Sequence, residues 1–234
     1  MRYHTPASFE DASAIAAAAD GVTRFLAGGT DVLVQLRSDM VTPDDLIDIK
    51  HIAGVKEIAK TADGGWRIGA AVSGSDMMAH DALKAQWPGV VEALDLVGST
   101  QIQTRCTLAG NLCNGSPAAD SVPAMIAAGA TVSVVGPNGA RDVAVEDVPT
   151  GPGKLSLAKG EVVSAVNIPA RGANGGDAYL RFIPRTEMDI AVVGCASAAC
   201  NPIDDKRGTI KFRTHVAGVL AQRAAKIAYE RAGG

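Results

Sequence analysis

The sequence predicts an α+β protein. Predicted helices and strands are mixed along the chain, without the strict alternation that is typical of a doubly wound parallel sheet. The 234 residues are 47% hydrophobic but include only four Phe, two Trp and three Tyr, so the core must consist mainly of Val, Ile, Leu and Ala. At roughly 150 residues per domain, this length suits one large domain or two modest ones.

Charge and cysteine content exclude several classes of protein. The chain has 22 Lys and Arg against 25 Asp and Glu, with interspersed signs, so it offers no broad basic surface for nucleic acid. No apolar run approaches the roughly 18 residues that span a bilayer, and the first residues lack the pattern of a secretory signal. We therefore expect a cytoplasmic protein without a membrane span. The four cysteines lack Cys-x-x-Cys spacing, which predicts reduced thiols.

The elements of the first hundred residues follow from helical periodicity and from turn residues. Apolar residues at helical spacing predict the helices, and short apolar runs between turn residues predict the strands. Thr30 is predicted to cap the second helix, and Trp87-Pro88 to open the third. In chain order, we predict a helix over 8–19, a short apolar segment over 23–26, a helix over 31–37, strands over 46–49 and 66–69, and a helix from 87 to about 97.

The stretch from Gly98 to Pro123 has neither helical nor strand periodicity and is rich in Gly, Asn, Ser and Thr. Structureless segments of this length inside a domain are uncommon and usually functional. The glycines at 172–176 mark the best candidate for a domain boundary. The remaining predictions are a helix over 124–128, strands over 131–135, 162–168, 179–182 and 190–193, a hairpin turn over 136–139, and a terminal helix over 209–230.

The first candidate site is the turn Ala27-Gly28-Gly29, which precedes a predicted helix. Consecutive main-chain N–H groups without Cβ atoms, close to a helix N-terminus, suit a bound phosphate. A plain tight turn that needs positive φ is the alternative. Neither the Rossmann fingerprint nor the Walker pattern is present, and the stretch 151–154 lacks the first glycine of the latter.

The second candidate site is the stretch from Thr107 to Asp120, which concentrates small side chains, hydroxyls, amides and one carboxylate. Such residues can hydrogen-bond a polar ligand and let the main chain approach it closely. The carboxylate of Asp120 could accept a hydrogen bond from a ribose or ribitol hydroxyl. Taken alone, this stretch favours the interpretation as an irregular surface loop.

Together, the two stretches resemble the FAD-binding medium subunit of the molybdenum hydroxylases, the family of xanthine dehydrogenase and carbon monoxide dehydrogenase. The resemblance is carried by LAGGTDVL at 26–33 and TLAGNLCNGSPAAD at 107–120, and it extends over nearly the whole chain. It implies a two-lobed FAD-binding domain of the vanillyl-alcohol oxidase (PCMH) type over residues 1–172. A smaller α+β domain over residues 173–234 would follow.

The resemblance also assigns cofactor-binding residues. In the family, the two loops hold the pyrophosphate of FAD through main-chain N–H groups. The positions that match are Leu26, Ala27, Gly28, Gly29, Thr30, Asp31, Val32 and Leu33 in the first loop, and Thr107, Ala109, Gly110 and Asn111 in the second. The resemblance further places Asp120 on the adenosine side of FAD, Val163 near the adenine, Arg181 at the flavin as its cation, and Ile190 over the isoalloxazine face.

Two positions depart from the family pattern. Ala109 stands where the family often has Gly, and its extra methyl group is tolerable only if Ala109 keeps a negative φ. Between Gly194 and Asn201, the family carries tens of residues that form most of its C-terminal domain, whereas this chain has six. Either the C-terminal domain is reduced or the sequence omits part of the polypeptide.

The function implied by the resemblance is that of an FAD-binding electron-transfer subunit. Electrons would pass from a large molybdopterin subunit to a small [2Fe-2S] subunit and from there to this chain. The chain would then pass them to an external acceptor. The assembly would be a heterotrimer or a dimer of heterotrimers. No catalytic residue or metal ligand is predicted in this chain, because nucleophile and metal motifs are absent. Two alternatives stay open: a stand-alone flavoenzyme using Glu187, Asp189 and Arg181, or a non-catalytic assembly subunit.

Overall fold

Three groups of secondary structure follow one another in the computed structural model, which describes residues 1–184, 189–195 and 209–233. The first group is a three-stranded parallel sheet with two helices, in which the last strand lies between the other two. In chain order it contains β1 (Arg2–His4), α1 (Phe9–Ala18), β2 (Thr23–Leu26), α2 (Val32–Arg37) and β3 (Asp45–Asp48), followed by a 3₁₀ turn at Ile49–His51.

The helices of the first group agree with the predicted positions in all but one detail. The Ser8 hydroxyl accepts the N–H of Asp11 and so caps α1. The predicted cap of α2 by Thr30 is wrong, because Asp31 occupies the N-cap position and its side chain makes no capping hydrogen bond. No residue of α2 is buried, so this helix contributes little to the core.

Charged side chains fasten β1 to the central strand β3. The buried Asp45 carboxylate accepts two hydrogen bonds from the Arg2 guanidinium, both 2.7 Å long. The His4 ring nitrogen Nε2 lies 2.7 Å from the same carboxylate. These partners hold the pKa of Asp45 well below its usual range, with the hydrogen bonds from Arg2 as the largest cause.

We expect Asp45→Asn to destabilise the protein more at neutral pH than in acid. Because folding lowers the pKa of Asp45, its stabilising contribution is complete above the ordinary value of about 3.9 and is lost as the pH falls below that value. Urea unfolding of both proteins at about pH 7 and about pH 3 should show a gap in unfolding free energy that narrows in acid. Asp147→Asn, at an exposed position, is the control. A gap that widens in acid would contradict this assignment.

The second group is built on a five-stranded antiparallel sheet. In chain order the group contains β4 (Ile58–Lys60), β5 (Trp66–Gly69), α3 (Gly74–Met78), α4 (Asp81–Gln86), α5 (Pro88–Asp95), α6 (Thr100–Gln103), α7 (Leu108–Cys113), α8 (Ser121–Ala127), β6 (Thr131–Gly136), β7 (Gly139–Ala144), a 3₁₀ turn (Val145–Asp147), β8 (Pro149–Gly151), β9 (Lys154–Leu155) and β10 (Val162–Ile168). The strand order in the sheet is β4-β5-β10-β6-β7. Strands β8 and β9 form a separate small hairpin.

The prediction that residues 98–123 lack regular secondary structure is wrong. Helices α6 and α7 lie within it, and α8 begins before its end. These helices have four to seven residues, which is too short for the periodicity of apolar residues to reveal them. The strands at 66–69 and 162–168 are confirmed, and Gly136 pairs with Gly139 across the predicted hairpin turn.

The third group contains β11 (Leu180–Phe182), β12 (Val193–Cys195) and the long helix α9 (Ile210–Arg231). The terminal helix begins as predicted, with Thr209 as its cap, but the strand predicted over 190–193 is displaced to 193–195. Glu187 lies outside the described residues, and so do residues 196–200 of the short stretch that replaces the family's additional residues. None of the described helices is long and apolar enough to cross a membrane.

One large hydrophobic cluster runs through the first two groups. Ala12 of α1 and Ile47 of β3 belong to it together with Ile68 of β5 and Val132 of β6, and all four are fully buried. A second, smaller cluster joins β12 to α9. The first and second groups are therefore packed on a common core, although they share no strand.

Candidate functional site

A cleft of about 660 Å³ lies between the first and second groups. Pockets that hold small ligands commonly measure roughly 300–1,000 Å³. Its walls come from three stretches of chain. These are the loop after β2 with the start of α2, the segment 106–114 around α7, and the segment 153–163 that leads into β10.

The first wall presents main-chain N–H groups without acceptors. Gly29 has a φ of +83°, a left-handed conformation that favours glycine. Within the described residues, the N–H groups of 28–31 donate to no protein acceptor. Main-chain donors without partners are rare unless water or a ligand satisfies them. Successive free N–H groups form a concave surface that suits an anion.

The second wall is shaped by side chains that bond to their own segment. The Thr107 hydroxyl accepts the Gly110 N–H at 2.9 Å and so caps α7. The side-chain amide oxygen of Asn111, Oδ1, accepts from the Ser121 N–H at 3.2 Å and from the Ser121 hydroxyl at 2.6 Å, which ties α7 to α8. Within the described residues, Asp39 is the one non-glycine with positive φ, so Ala109 keeps the negative φ that its methyl group requires.

The first two walls touch through their main chains at one end of α7. A Cβ atom added to Gly28 would overlap the carbonyl oxygen of Arg105. The Arg105 side chain returns over this contact, and its Nε–H donates to the Gly28 carbonyl at 3.3 Å. Only glycine at position 28 permits this approach.

Of the third wall, only Val163 was predicted from the sequence. The wall contains Leu155, Leu157 and Lys159, together with Glu161 and neighbouring residues up to Val163. The Gly153 N–H donates to the carbonyl of Gly115 at 2.9 Å, which joins this wall to the second. The signal that could have located the rest of this wall is the family resemblance, which extends over nearly the whole chain.

A fixed cation pairs with the carboxylate of the third wall. Arg141 donates two hydrogen bonds, both 2.8 Å long, to the Glu161 carboxylate. The pair lowers the pKa of Glu161, so this group remains ionised at neutral pH but is matched by a positive charge. The charge of Glu161 is therefore offset, and an anionic ligand can still bind in the cleft.

The structure brings most of the predicted site residues together in one cleft. Those that line it are Ala27, Gly28, Gly29, Thr30, Asp31, Val32, Thr107, Ala109, Gly110, Asn111 and Val163. The predicted residues outside its lining are Leu26, Leu33, Asp120, Arg181 and Ile190. Leu26 is buried in the core, because it faces inward from the end of β2, whereas Leu33 and Ile190 are exposed.

Asp120 and Arg181 contact each other instead of lining the cleft. Arg181 Nη1 donates to Asp120 Oδ1 at 3.2 Å and to the Leu96 carbonyl, at the end of α5, at 2.7 Å. The Tyr179 hydroxyl donates to the same Asp120 oxygen at 3.1 Å. Burial raises the pKa of Asp120 and, more strongly, that of Tyr179. This buried cluster joins the third group to α5 and to the start of α8.

Two cysteines also line the cleft, and both are free thiols. Burial raises the pKa of Cys106 to about 11 and that of Cys113 to about 12. Within the described part of the chain, no group of three His, Cys, Asp or Glu side chains is placed to hold a metal ion.

We expect both cleft cysteines to resist alkylation in the folded protein. With these pKa values, thiolate makes up on the order of one part in a thousand or less at about pH 7.5, and the thiolate is the reactive form. Treatment with iodoacetamide followed by mass spectrometry should find both thiols unmodified in native protein and modified in urea. Rapid labelling of Cys113 in native protein would contradict the environment described here.

The chain is similar to FAD-binding subunits of known enzymes. Residues 1–171 match the family described as the FAD binding domain in molybdopterin dehydrogenase. The xanthine dehydrogenase FAD-binding subunit of Escherichia coli O157:H7 is 32% identical over 196 residues, covering 83% of this chain and 67% of the relative. The carbon monoxide dehydrogenase medium chain of Afipia carboxidovorans is 27% identical over 284 aligned positions, covering 98% of this chain and 97% of the relative.

The structural comparison extends beyond the matched 171 residues. The CO dehydrogenase structure from Oligotropha carboxidovorans contains a chain that superposes with a TM-score of 0.89 at 26% identity. The superposition covers 99% of this chain and 98% of that chain. The predicted α+β fold with an FAD-binding region of this type is confirmed by this match.

Proposed function

The chain belongs to the family of FAD binding domains in molybdopterin dehydrogenase, and on that basis we propose that it is the FAD-carrying electron-transfer subunit of a molybdenum hydroxylase. Its relatives include a xanthine dehydrogenase FAD-binding subunit and carbon monoxide dehydrogenase medium chains. The observation that carries the proposal is the cleft, in which two glycine loops face a common space.

The first loop would hold the diphosphate of FAD. The four N–H groups of 28–31 have no acceptor among the described residues, so a diphosphate would satisfy donors that the fold leaves open. The second loop, from Thr107 to Asn111, would face the same ligand with small residues that allow a close main-chain approach. Val163 would contribute an apolar surface, as expected near the adenine.

Asp120, Arg181 and Ile190 stay predictions as FAD contacts. The hydrogen bonds among Asp120, Arg181 and Tyr179 support a structural role for the first two. The predictions for Leu26 and Leu33 concern the ends of the first loop. Leu26 packs in the core beneath it, and Leu33 flanks Gly29 on the exposed side.

Bound FAD supplies the redox chemistry, accepting electrons and passing them to another acceptor. The residues of the chain would bind and orient it. The main-chain N–H groups would compensate the negative diphosphate, and Arg141 compensates the Glu161 carboxylate that would otherwise repel it. The walls of the cleft would exclude water from the apolar parts of the ligand.

The partners follow as part of the same proposal. A small [2Fe-2S] subunit would supply electrons from a large molybdopterin subunit, and an external oxidant would remove them. Support comes from the names of the relatives, which describe subunits and medium chains. The heterotrimeric assembly, the transfer of electrons to an external oxidant and the cytoplasmic location are predictions.

We also propose that residues 1–172 form the FAD-binding domain and that 173–234 form a shortened C-terminal domain. The family match ends at residue 171, and a separate hydrophobic cluster joins β12 to α9. The alignment with the A. carboxidovorans medium chain spans 284 positions, whereas this chain has 234 residues, so at least 50 positions have no counterpart here.

A visible spectrum of the purified chain tests the proposal. Flavin absorption near roughly 370 and 450 nm, in the purified or reconstituted protein, supports FAD binding. A colourless preparation that cannot be reconstituted would instead favour an assembly protein. Co-purification with an iron–sulfur chain and a molybdopterin chain then separates the electron-transfer subunit from a stand-alone flavoenzyme.

A further inference from the structure

The side-chain amide of Asn114 bridges two walls of the cleft. Its Nδ2 donates to Asp31 Oδ1 at 3.1 Å, and its Oδ1 accepts from Gln35 Nε2 at 3.1 Å. Asn114 ends α7, whereas Asp31 precedes α2 and Gln35 lies on it, and all three residues line the cleft. Both polar atoms of the amide are therefore bonded across the cleft, to residues 83 and 79 positions earlier in the chain.

The orientation of this amide is chemically determined. An ionised carboxylate only accepts hydrogen bonds, so the nitrogen of Asn114 must face Asp31, and its oxygen is left for Gln35. A carboxylate at position 114 could accept from Gln35 but would repel Asp31. The arrangement therefore distinguishes an amide from a carboxylate of nearly the same shape.

The bridge complements the contact at the other end of α7. There, Arg105 donates to the carbonyl of Gly28. The segment that carries the second loop is thus fastened to the first wall on both sides of α7. A ligand that touches both walls binds more tightly when their spacing is already set, because less freedom is lost on binding.

We propose that Asn114 is a positioning residue that fixes the spacing of the two loops and so controls how slowly FAD leaves the cleft. This inference rests on the proposed function, since it takes FAD to be the ligand. Asn114 acts through Asp31 and Gln35 and needs no contact with the flavin itself.

The test exchanges the amide of Asn114 and the carboxylate of Asp31, which face each other across the cleft. In the full chain, purified with its partner subunits, Asn114→Asp should raise the FAD dissociation rate about tenfold or more, since the hydrogen bond to Asp31 is lost and two like charges meet there. Combining it with Asp31→Asn restores one amide opposite one carboxylate, and the rate should return to within about threefold of the wild-type value. Dissociation is followed by the fluorescence of released FAD.

Asn138→Asp makes the same chemical change at the exposed β6–β7 turn and is the matched control. If FAD leaves the Asn114→Asp variant at the wild-type rate, the proposal is overturned. Fast FAD dissociation that the added Asp31→Asn change does not slow would also overturn it. If the single variant fails to fold, the exchanged pair must still fold and retain FAD, or the proposal is wrong. A wild-type chain that binds no FAD would instead overturn the proposed function.

Discussion

Replacing Gly28 with valine should abolish FAD retention. A Cβ atom at this position would overlap the carbonyl oxygen of Arg105, and the two methyl groups of valine would enlarge the conflict. The Cβ atom is fixed by the backbone of residue 28, and the oxygen of Arg105 is main chain. No rotation of a side chain can relieve the overlap, so the two loops must separate. We expect FAD to bind about a hundredfold more weakly, or not measurably, since overpacking of this kind commonly costs about 1–3 kcal/mol or more.

The measurement is the ratio of flavin to protein absorbance after purification and after incubation with excess FAD. Gly172→Val is the control, because a Cβ atom at Gly172 meets nothing within 4 Å and the residue has no positive φ. Circular dichroism checks that both variants fold. Full FAD occupancy in Gly28→Val would show that the contact with Arg105 does not determine the shape of the cleft.

The second large effect is expected at Asp120. Changing it to asparagine should lower the free energy of unfolding of the FAD-free protein by about 3–5 kcal/mol, because it leaves the guanidinium of Arg181 buried without its counter-ion. The two side chains are only 11% and 10% exposed. Urea unfolding of the FAD-free proteins measures the effect, with Asp142→Asn on the exposed strand β7 as the control.

A paired replacement separates this role from a direct contact with FAD. Bringing two opposite charges out of water is itself costly, so the intact ion pair contributes less than the loss of one partner suggests. Replacing both residues, Asp120→Asn with Arg181→Met, should therefore recover most of the stability lost in the single variant. If Asp120 served only FAD, the unfolding of the FAD-free protein would not respond to Asp120→Asn, and that result would remove it from the structural cluster.

The glycine loops could be located from sequence because their requirement is local. The positive φ at Gly29 and the close approach at Gly28 each require a glycine. A glycine at a given position is read directly from the sequence. The resemblance to a family then placed the two loops on one ligand. Strand β10, in which five of the seven residues are apolar, was located for the same reason.

The features that the sequence did not reveal depend on distant partners. The Asp120 carboxylate meets Tyr179 and Arg181, which follow it by 59 and 61 positions, and no local pattern indicates that pairing. The bridge made by Asn114 is of the same kind. Strand β1 was missed because three residues are too few for a pattern, and it is held in place by Asp45 rather than by apolar packing.

The hydrophobic cluster shared by the first two groups has a consequence for melting. Because α1 and β3 contribute to the same interior as the antiparallel sheet, neither half can unravel without exposing apolar surface of the other. Heating should therefore disrupt residues 1–170 in a single cooperative transition. A tightly held dinucleotide, which binds only when both halves are in place, would shift the midpoint of that transition upward as its concentration rises.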